Sequence, residues 1–311
     1  MKAVVLRGTG GVWHVRDEEG RTREVTLRGR LKQAGTLKLA VGDDVVIEPG
    51  EAERSGKGGT GTNAWAITAI GARRSALARR APGGAYGERV VVANVDQVVV
   101  VFAAAQPEPH LRMLDRFLVI AAANDIPARI VVNKMDLAPP DTLERFADYT
   151  RAGYEIHAVS ARTREGLDGL HEMLRERISV LTGPSGVGKS SLLNTVYPGL
   201  NLRVGAISAS VNKGRHTTVG AVMVPLPDGG FVVDTPGLRE VGVWNLAPEA
   251  LGDCFVEFRP FTGKCRFRDC SHRAEPGCAV REAVAARTLS AARYESYLRL
   301  LDELAANAPS W

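Results

Sequence analysis

The segment Gly183-Pro184-Ser185-Gly186-Val187-Gly188-Lys189-Ser190 matches Gly-x4-Gly-Lys-Ser without a gap, and Ser191 continues into a helix-forming run. Glycines at these spacings let backbone N–H groups converge on phosphate oxygens, and a helix N-terminus adds the positive end of its dipole. Lys189 is spaced to reach the β and γ phosphates, and the Ser190 hydroxyl to ligate Mg²⁺. This loop specifies a nucleoside triphosphate but not its base. The base is addressed by Asn133-Lys134-Met135-Asp136. A carboxylate there accepts hydrogen bonds from guanine N1–H and its exocyclic amine, whereas adenine leaves it unpaired. Sites built this way discriminate by about 10⁴-fold or more. The Lys134 stem packs on the purine face, Asn133 braces the loop, and the N–H of Ala161, next to Ser160, can meet guanine O6.

Two further signals belong with these. Asp234-Thr235-Pro236-Gly237 would hold Mg²⁺ through water at Asp234 and sense the γ-phosphate at the Gly237 N–H. Ahead of it, Gly214-Arg215-His216-Thr217-Thr218 offers a threonine to close Mg²⁺ coordination, Thr218 in preference to Thr217. The position after Asp-x-x-Gly is Leu238, not the glutamine that orients attacking water in many GTPases. Either His216 or another group places the water, or hydrolysis is slow until a partner completes the site; His216 can equally be a packing residue of the loop. Each short motif recurs by chance; four on one α/β sheet specify a GTPase. Their order is permuted, with Asn-Lys-x-Asp and Ser-Ala preceding the phosphate loop. Cutting and rejoining a sheet at another surface loop leaves every site in place. The chain leaving Asp-x-x-Gly then runs straight into the C-terminal region.

That region holds Cys265-x4-Cys270-x-His272-x5-Cys278, three of the four cysteines. Three thiols and an imidazole make up a closed structural zinc set; a redox pair or unliganded thiols are the alternatives. Cys254 lies outside the spacing and reads as a small apolar residue. Arg259, Lys264, Arg266, Arg268 and Arg273 flank the ligands, as solvated surface or as phosphate contacts.

The elements that must position these groups follow from periodicity. Short alternating runs through residues 1–72, such as Val12–Arg16 and Asp44–Glu48, read as about five strands of an OB-fold barrel. The Gly-rich Ser55–Gly61 lacks Gly-Lys-Ser/Thr and reads as a barrel loop. Residues 73–89 carry Arg73, Arg74, Arg79, Arg80 and Arg89 among glycines, the composition of a basic linker, solvated or touching phosphates. From 90 to 247, apolar strands alternate with helices, which predicts an α/β domain on a mostly parallel sheet. Residues 248–311 complete a zinc-binding domain and a terminal helix with its stripe Tyr294, Tyr297, Leu298, Leu301, Leu304.

The 311 residues carry a net charge of +5, with 45% apolar and 24% charged residues, ordinary for a globular chain and mildly basic. That balance is compatible with RNA without requiring it. No run approaches the roughly 18 apolar residues of a membrane span, and no export signal opens the chain, so a cytoplasmic protein without membrane partners is expected.

Taken together, Asn133–Asp136, Gly183–Ser191, Gly214–Thr218, Asp234–Glu240 and Cys265–Cys278 with Glu275-Pro276-Gly277 resemble the ribosome small-subunit-dependent GTPase A family of circularly permuted bacterial GTPases. The resemblance covers essentially the whole chain. It implies an OB-fold, a permuted GTPase domain and a C-terminal zinc domain. It also implies binding of GTP or GDP and of the small ribosomal subunit with its rRNA, a role in late maturation of that subunit, and subunit-stimulated hydrolysis; a monomer is expected. A hydrophobic residue at Leu238 agrees with the family; Val219, where a third threonine is usual, departs from it. The competing reading is a nucleotide-gated rRNA-binding module in which hydrolysis is incidental.

Overall fold

Alternation of one inward and one outward residue dictates the N-terminal barrel. The computed structural model describes residues 1–28, 38–50, 65–80, 88–202, 221–234 and 246–306. Strands β1 (Lys2–Thr9), β2 (Val12–Asp17), β3 (Thr22–Leu27), β4 (Asp44–Pro49) and β5 (Trp65–Ile70) close in the order β1-β2-β3-β5-β4. Inward Ala3, Val5, Val15, Val25, Val45, Ile47 and Ile67 fill its interior. The single parallel pairing, β3 with β5, closes the five-stranded OB arrangement. Ser55–Gly61 lies outside the described residues.

Part of the stretch read as a basic linker is strand. β6 (Ala76–Arg80) pairs antiparallel with β7 (Glu88–Ala93), Leu77 opposite Val92, both fully buried. Composition suggested a basic linker, solvated or touching phosphates, because it weighs arginines and glycines and misses these two apolar anchors. Arg73 pairs with the buried Asp43 at 2.7 Å, and Arg74 with Asp96 at 2.9 Å, so these two cations fasten the chain to itself. Val92 also bridges Val41 of the barrel, and a Cβ on Gly42 (φ +87°) would fall 2.2 Å from the Ala93 carbonyl. Only glycine permits this close approach.

The second sheet runs β10 (Ile156–Ala158), β9 (Ala128–Asn133), β8 (Gln97–Ala103), β11 (Ile178–Thr182), β13 (Phe231–Asp234), β12 (Val222–Pro225), parallel except for β12. β8 is buried along its whole length, and its residues divide by parity. Val98, Val100 and Phe102 pack beneath α1 (Leu111–Ala122), with Leu114, Phe117 and Leu118. Val99, Val101 and Ala103 pack beneath α3 (Leu167–Leu174) and α4 (Lys189–Val196). This is the period of two of a strand covered on both faces. A short α2 (Ala147–Arg151) precedes β10.

The C-terminal region is built from 3-10 turns at Pro248–Ala250, Gly252–Cys254 and Val256–Phe261, followed by α5 (Ala279–Ala285) and α6 (Ala291–Ala306). Its apolar residues join the cluster beneath α1, Phe255, Phe258, Tyr297, Leu301 and Leu304 among them. Among the described residues, no helix is long and apolar enough to cross a membrane.

Candidate functional site

From β8 the chain steps outward through β9 and β10, then returns to the centre at β11 and continues to β13 on the other side. The carboxyl ends of β8 and β11 therefore flank a point where the winding reverses, the place at which open α/β sheets form a ligand crevice. The segment Gly183–Gly188 occupies it, between β11 and α4. Three of its residues have left-handed φ: Gly183 (+135°), Gly186 (+80°) and Gly188 (+91°). A Cβ on Gly183 would fall 2.0 Å from the Val101 carbonyl, and one on Gly188 would fall 2.7 Å from Asn133 Nδ2. The glycines thus set the loop against β8 and β9.

Gly188 caps α4 without a side chain, and no acid lies in the first turn, which leaves the positive helix end to an anion. Lys189 is buried, and its Nζ donates to the carbonyls of Gly183 (2.9 Å) and Pro184 (2.8 Å). Ser190 is buried one residue further on.

The residues expected to read the base meet the same loop from β9 and β10. Asn133 ends β9; its Nδ2 donates to the Val187 carbonyl at 2.9 Å and its Oδ1 accepts from the Ala161 N–H at 3.3 Å. One amide therefore ties together the phosphate loop, β9 and the Ser160-Ala161 turn. The Ala161 N–H, expected to face a guanine oxygen, is directed at Asn133. Lys134 takes a left-handed backbone (φ +62°) and extends so that Nζ donates to the Gln106 carbonyl. Met135 N–H bonds to the Val159 carbonyl at 3.2 Å. The Asp136 side chain is 10% exposed. Its Oδ1 accepts from Ser160 Oγ at 2.7 Å, while Oδ2 lies 3.5 Å from Arg162.

Two participants had no motif to announce them. Gln106-Pro107, in the loop between β8 and α1, meets Lys134 and lies near Gly186, whose added Cβ would be 3.8 Å from Pro107 Cδ. Arg162 stands beside Asp136, and only its adjacency to Ser160-Ala161 hinted at it. Asp234 ends β13, in register with Leu181 of β11. Gly214, Arg215, His216, Thr217 and Thr218, and Thr235, Gly237 and Leu238, lie outside the described residues.

The second cluster is formed by Cys265, Cys270, His272 and Cys278, whose ligand atoms all fall within 4.8 Å of one another. Cys265 Sγ lies 4.0 Å from Cys278 Sγ, and His272 Nδ1 lies 3.6 and 3.4 Å from these two sulfurs. Tetrahedral ligation at zinc bond lengths requires S···S near ~3.8 Å and S···N near ~3.6 Å. The donors present fit a tetrahedral metal ion. Burial holds His272 below its ordinary value, which keeps the imidazole in its ligating neutral form, and burial pushes the Cys270 thiol up to about 12. A bound dication is what would draw that proton off.

The turn carrying His272 (φ +57°) is folded around one carboxylate. Glu275 accepts from Ser271 Oγ (2.6 Å) and from the N–H groups of Ser271, Arg273 and Ala274 at 2.8–3.0 Å. The Ser271 hydroxyl is the largest influence holding the Glu275 carboxyl down at about 2. From α6, the Tyr294 and Tyr297 hydroxyls donate to the carbonyls of His272 (2.6 Å) and Ser271 (2.7 Å). The tyrosines of the terminal stripe therefore both pack and tether the turn. Cys254 is buried apart from the cluster, bonded to the Ala250 carbonyl.

The C-terminal region is joined to α1 through Arg293 at the start of α6. It is 3% exposed, bonds Glu257 at 2.7 and 3.2 Å, pairs with Asp115 of α1, and lies over Tyr149 and Phe255. Tyr149 completes the set by donating to Asp115 at 2.7 Å.

The family model for the RsgA GTPase matches residues 70–244. A Gemmatimonas aurantiaca protein called small ribosomal subunit biogenesis GTPase RsgA is 58% identical over 97% of this chain and 96% of its own length. One of the same name from Moorella thermoacetica is 41% identical over the whole of both chains. Among solved structures, YjeQ from Thermotoga maritima superposes with a TM-score of 0.76 at 34% identity, covering 97% of this chain and 98% of that one. YloQ, described as a circularly permuted GTPase, gives 0.74 at 30% identity over 100% and 96%. With a barrel, a permuted sheet carrying a phosphate loop at its switch point, and a Cys/His cluster matched along their full length, this chain is a GTP-hydrolysing enzyme and belongs to the RsgA GTPase family.

Proposed function

We propose that the chain binds the small ribosomal subunit, assists its late maturation, and hydrolyses GTP at a rate the subunit raises. The observation that carries this reading is the relatedness to proteins named small ribosomal subunit biogenesis GTPase along nearly the entire chain, 58% in one case.

In the crevice, Gly183–Gly188 would cradle the phosphates, with Lys189 turning from the Gly183 and Pro184 carbonyls toward the β and γ oxygens. Asp136, held by Ser160, would accept from guanine N1–H and the exocyclic amine. Asn133 would fix that loop to the phosphate loop, and the Lys134 stem would cover the purine. Ala161 would release Asn133 to meet the guanine oxygen. Mg²⁺ neutralises charge on the phosphates when bound, and Ser190 and Thr218, with Thr217 as alternative, would hold it, assisted through water by Asp234. Gly237 would respond to the γ-phosphate and His216 would place the attacking water, since Leu238 has no group to do so. Zinc makes the Cys265, Cys270, His272 and Cys278 turn rigid when bound. The setting this implies is the cytoplasm.

The test is GTP turnover with purified small subunits, large subunits or neither. Small subunits should raise the rate at least about tenfold, equivalent to ~1.4 kcal/mol of barrier. Stimulation at limiting subunit should fall as salt rises, since phosphate contacts release counterions. Equal stimulation by large subunits, or none by either, defeats the reading.

A further inference from the structure

The loop between Cys265 and Cys270 exposes what the rest of its domain hides. Phe255 and Phe258 are buried at 0% and 2%, whereas Phe267 is 42% exposed. The ring stands between Arg266 and Arg268, and the Arg266 guanidinium lies 5.6 Å from its centroid. The loop is short and held at both ends. Cys265 and Cys270 converge with His272 and Cys278, and the Arg266 N–H donates to the Gly277 carbonyl at 2.9 Å. Phe267 is therefore presented from a fixed backbone, so ordering it against a partner costs little beyond its own two torsions.

The charges around it are unspent. Lys264, Arg266 and Arg268 have no ion-pair partner among the described residues, whereas Arg273 pairs with Asp302 and Arg293 with Glu257. Asp269 is the one acid between the two cysteines. A protein partner would bury a contiguous apolar patch; here a single exposed flat ring has one guanidinium against it and two further cations, Lys264 and Arg268, close along the chain. Aromatic and guanidinium faces together stack on nucleobases, and neighbouring cations take the phosphates on either side. A base paired inside a duplex cannot present its face, so this arrangement favours single-stranded segments.

We propose that the Lys264–Arg268 loop is a platform for an unpaired RNA base, which Phe267 and Arg266 stack against while Lys264 and Arg268 meet the flanking phosphates. This deepens the reading of the chain as a factor for the ribosomal subunit and names the kind of RNA that one face would take.

The test uses the full-length protein and fluorescence anisotropy with a short unstructured oligoribonucleotide, its duplex, an abasic copy with the same phosphates, and a polyglutamate peptide. Phe267→Ala should weaken binding of the single strand at least about fivefold, the loss of one stacked base. Duplex and abasic RNA should bind as before, and Phe267→Trp should restore the single strand. Phe267→Leu keeps apolar bulk without an aromatic face, so it should behave as the alanine variant does and serves in its place if alanine disturbs the loop. Metal content and circular dichroism are read for each variant. Unchanged single-strand affinity, equal loss on all RNAs, or a loss specific to the acidic peptide overturns the proposal. Subunit-stimulated turnover is measured in parallel. Its absence, with Phe267-dependent RNA binding intact, defeats only the subunit reading; stimulation with Phe267-independent RNA binding defeats only this one.

Discussion

At the nucleotide crevice the functional groups hang from the carboxyl ends of buried strands: Asn133 from β9, Ser160 after β10, Gly183 after β11. At the Cys/His cluster they hang from turns, in a stretch without a strand between Gly252 and Cys278. The crevice is shaped by contacts with the sheet's own strands, the close approach of Gly183 to Val101 and the Asn133 side-chain bridge to the Val187 carbonyl among them. The cluster is fixed mainly by side chains, a carboxylate, two tyrosine hydroxyls and its own ligand atoms, with the Arg266 N–H bond to the Gly277 carbonyl beside them. Removing one group should therefore empty or retune the first region and unfold the second.

The largest effect should come from Cys270→Ser. Metal ligation of this kind carries about 10 kcal/mol or more, and it is folding free energy. Metal analysis should fall from one zinc per chain to near none, and residues 250–306 should become open to protease while GTP affinity holds. A variant that keeps both its metal and its protection would erase the contrast. Asp136→Asn should act in the opposite way. Ser160 Oγ can still donate to the amide oxygen where it now meets Oδ1, which leaves an amide N–H₂ in place of Oδ2. GTP binding should drop by about 10³–10⁴-fold and xanthosine triphosphate should be gained, with urea unfolding unchanged. GTP titration giving the parent affinity would remove Asp136 from base recognition.

Arg293→Ala probes the joint between the two regions. It leaves Asp115 and Glu257 buried without their cation, which should cost roughly 3–5 kcal/mol in urea unfolding. A change under about 1 kcal/mol, the range of exposed pairs, would mean that the domains are held by apolar packing alone. The smallest effect should be Ser160→Ala, which takes one hydrogen bond from Asp136. GTP should bind about fivefold more weakly, ~1 kcal/mol, with kcat and stability retained. A fall in kcat instead would place Ser160 in the chemistry rather than in orientation.

How much of this was legible in advance varied with the range of the interaction. The phosphate loop and the Cys/His turn are contiguous, so their glycines, lysine and ligands declare themselves by spacing. β8 declared itself too, because a strand buried on both faces is a run of β-branched residues. The stretch 73–89 misled, since β6 and β7 need only Leu77 and Val92 to dock, and composition averages them away. The partners of Arg293 lie on α1 and in the turn at Val256–Phe261, as far as 178 residues away along the chain. Nothing local distinguishes it from Arg273 or Arg299, whose acidic partners leave them about half exposed.

By itself, the sequence proposed the chemistry: which residues would hold phosphates, read guanine and ligate a metal, and in what permuted order. Those assignments depend on residue type and short spacing, which folding does not alter. The tertiary structure alone decided that Asn133 would bind the phosphate loop to the Ser160-Ala161 turn, that Lys134 would reach Gln106, and that a buried arginine would seat the C-terminal region on α1. Each of these joins residues far apart in the chain. Such pairings are selected by closure of the sheet and burial of a shared core, which no local window of sequence contains.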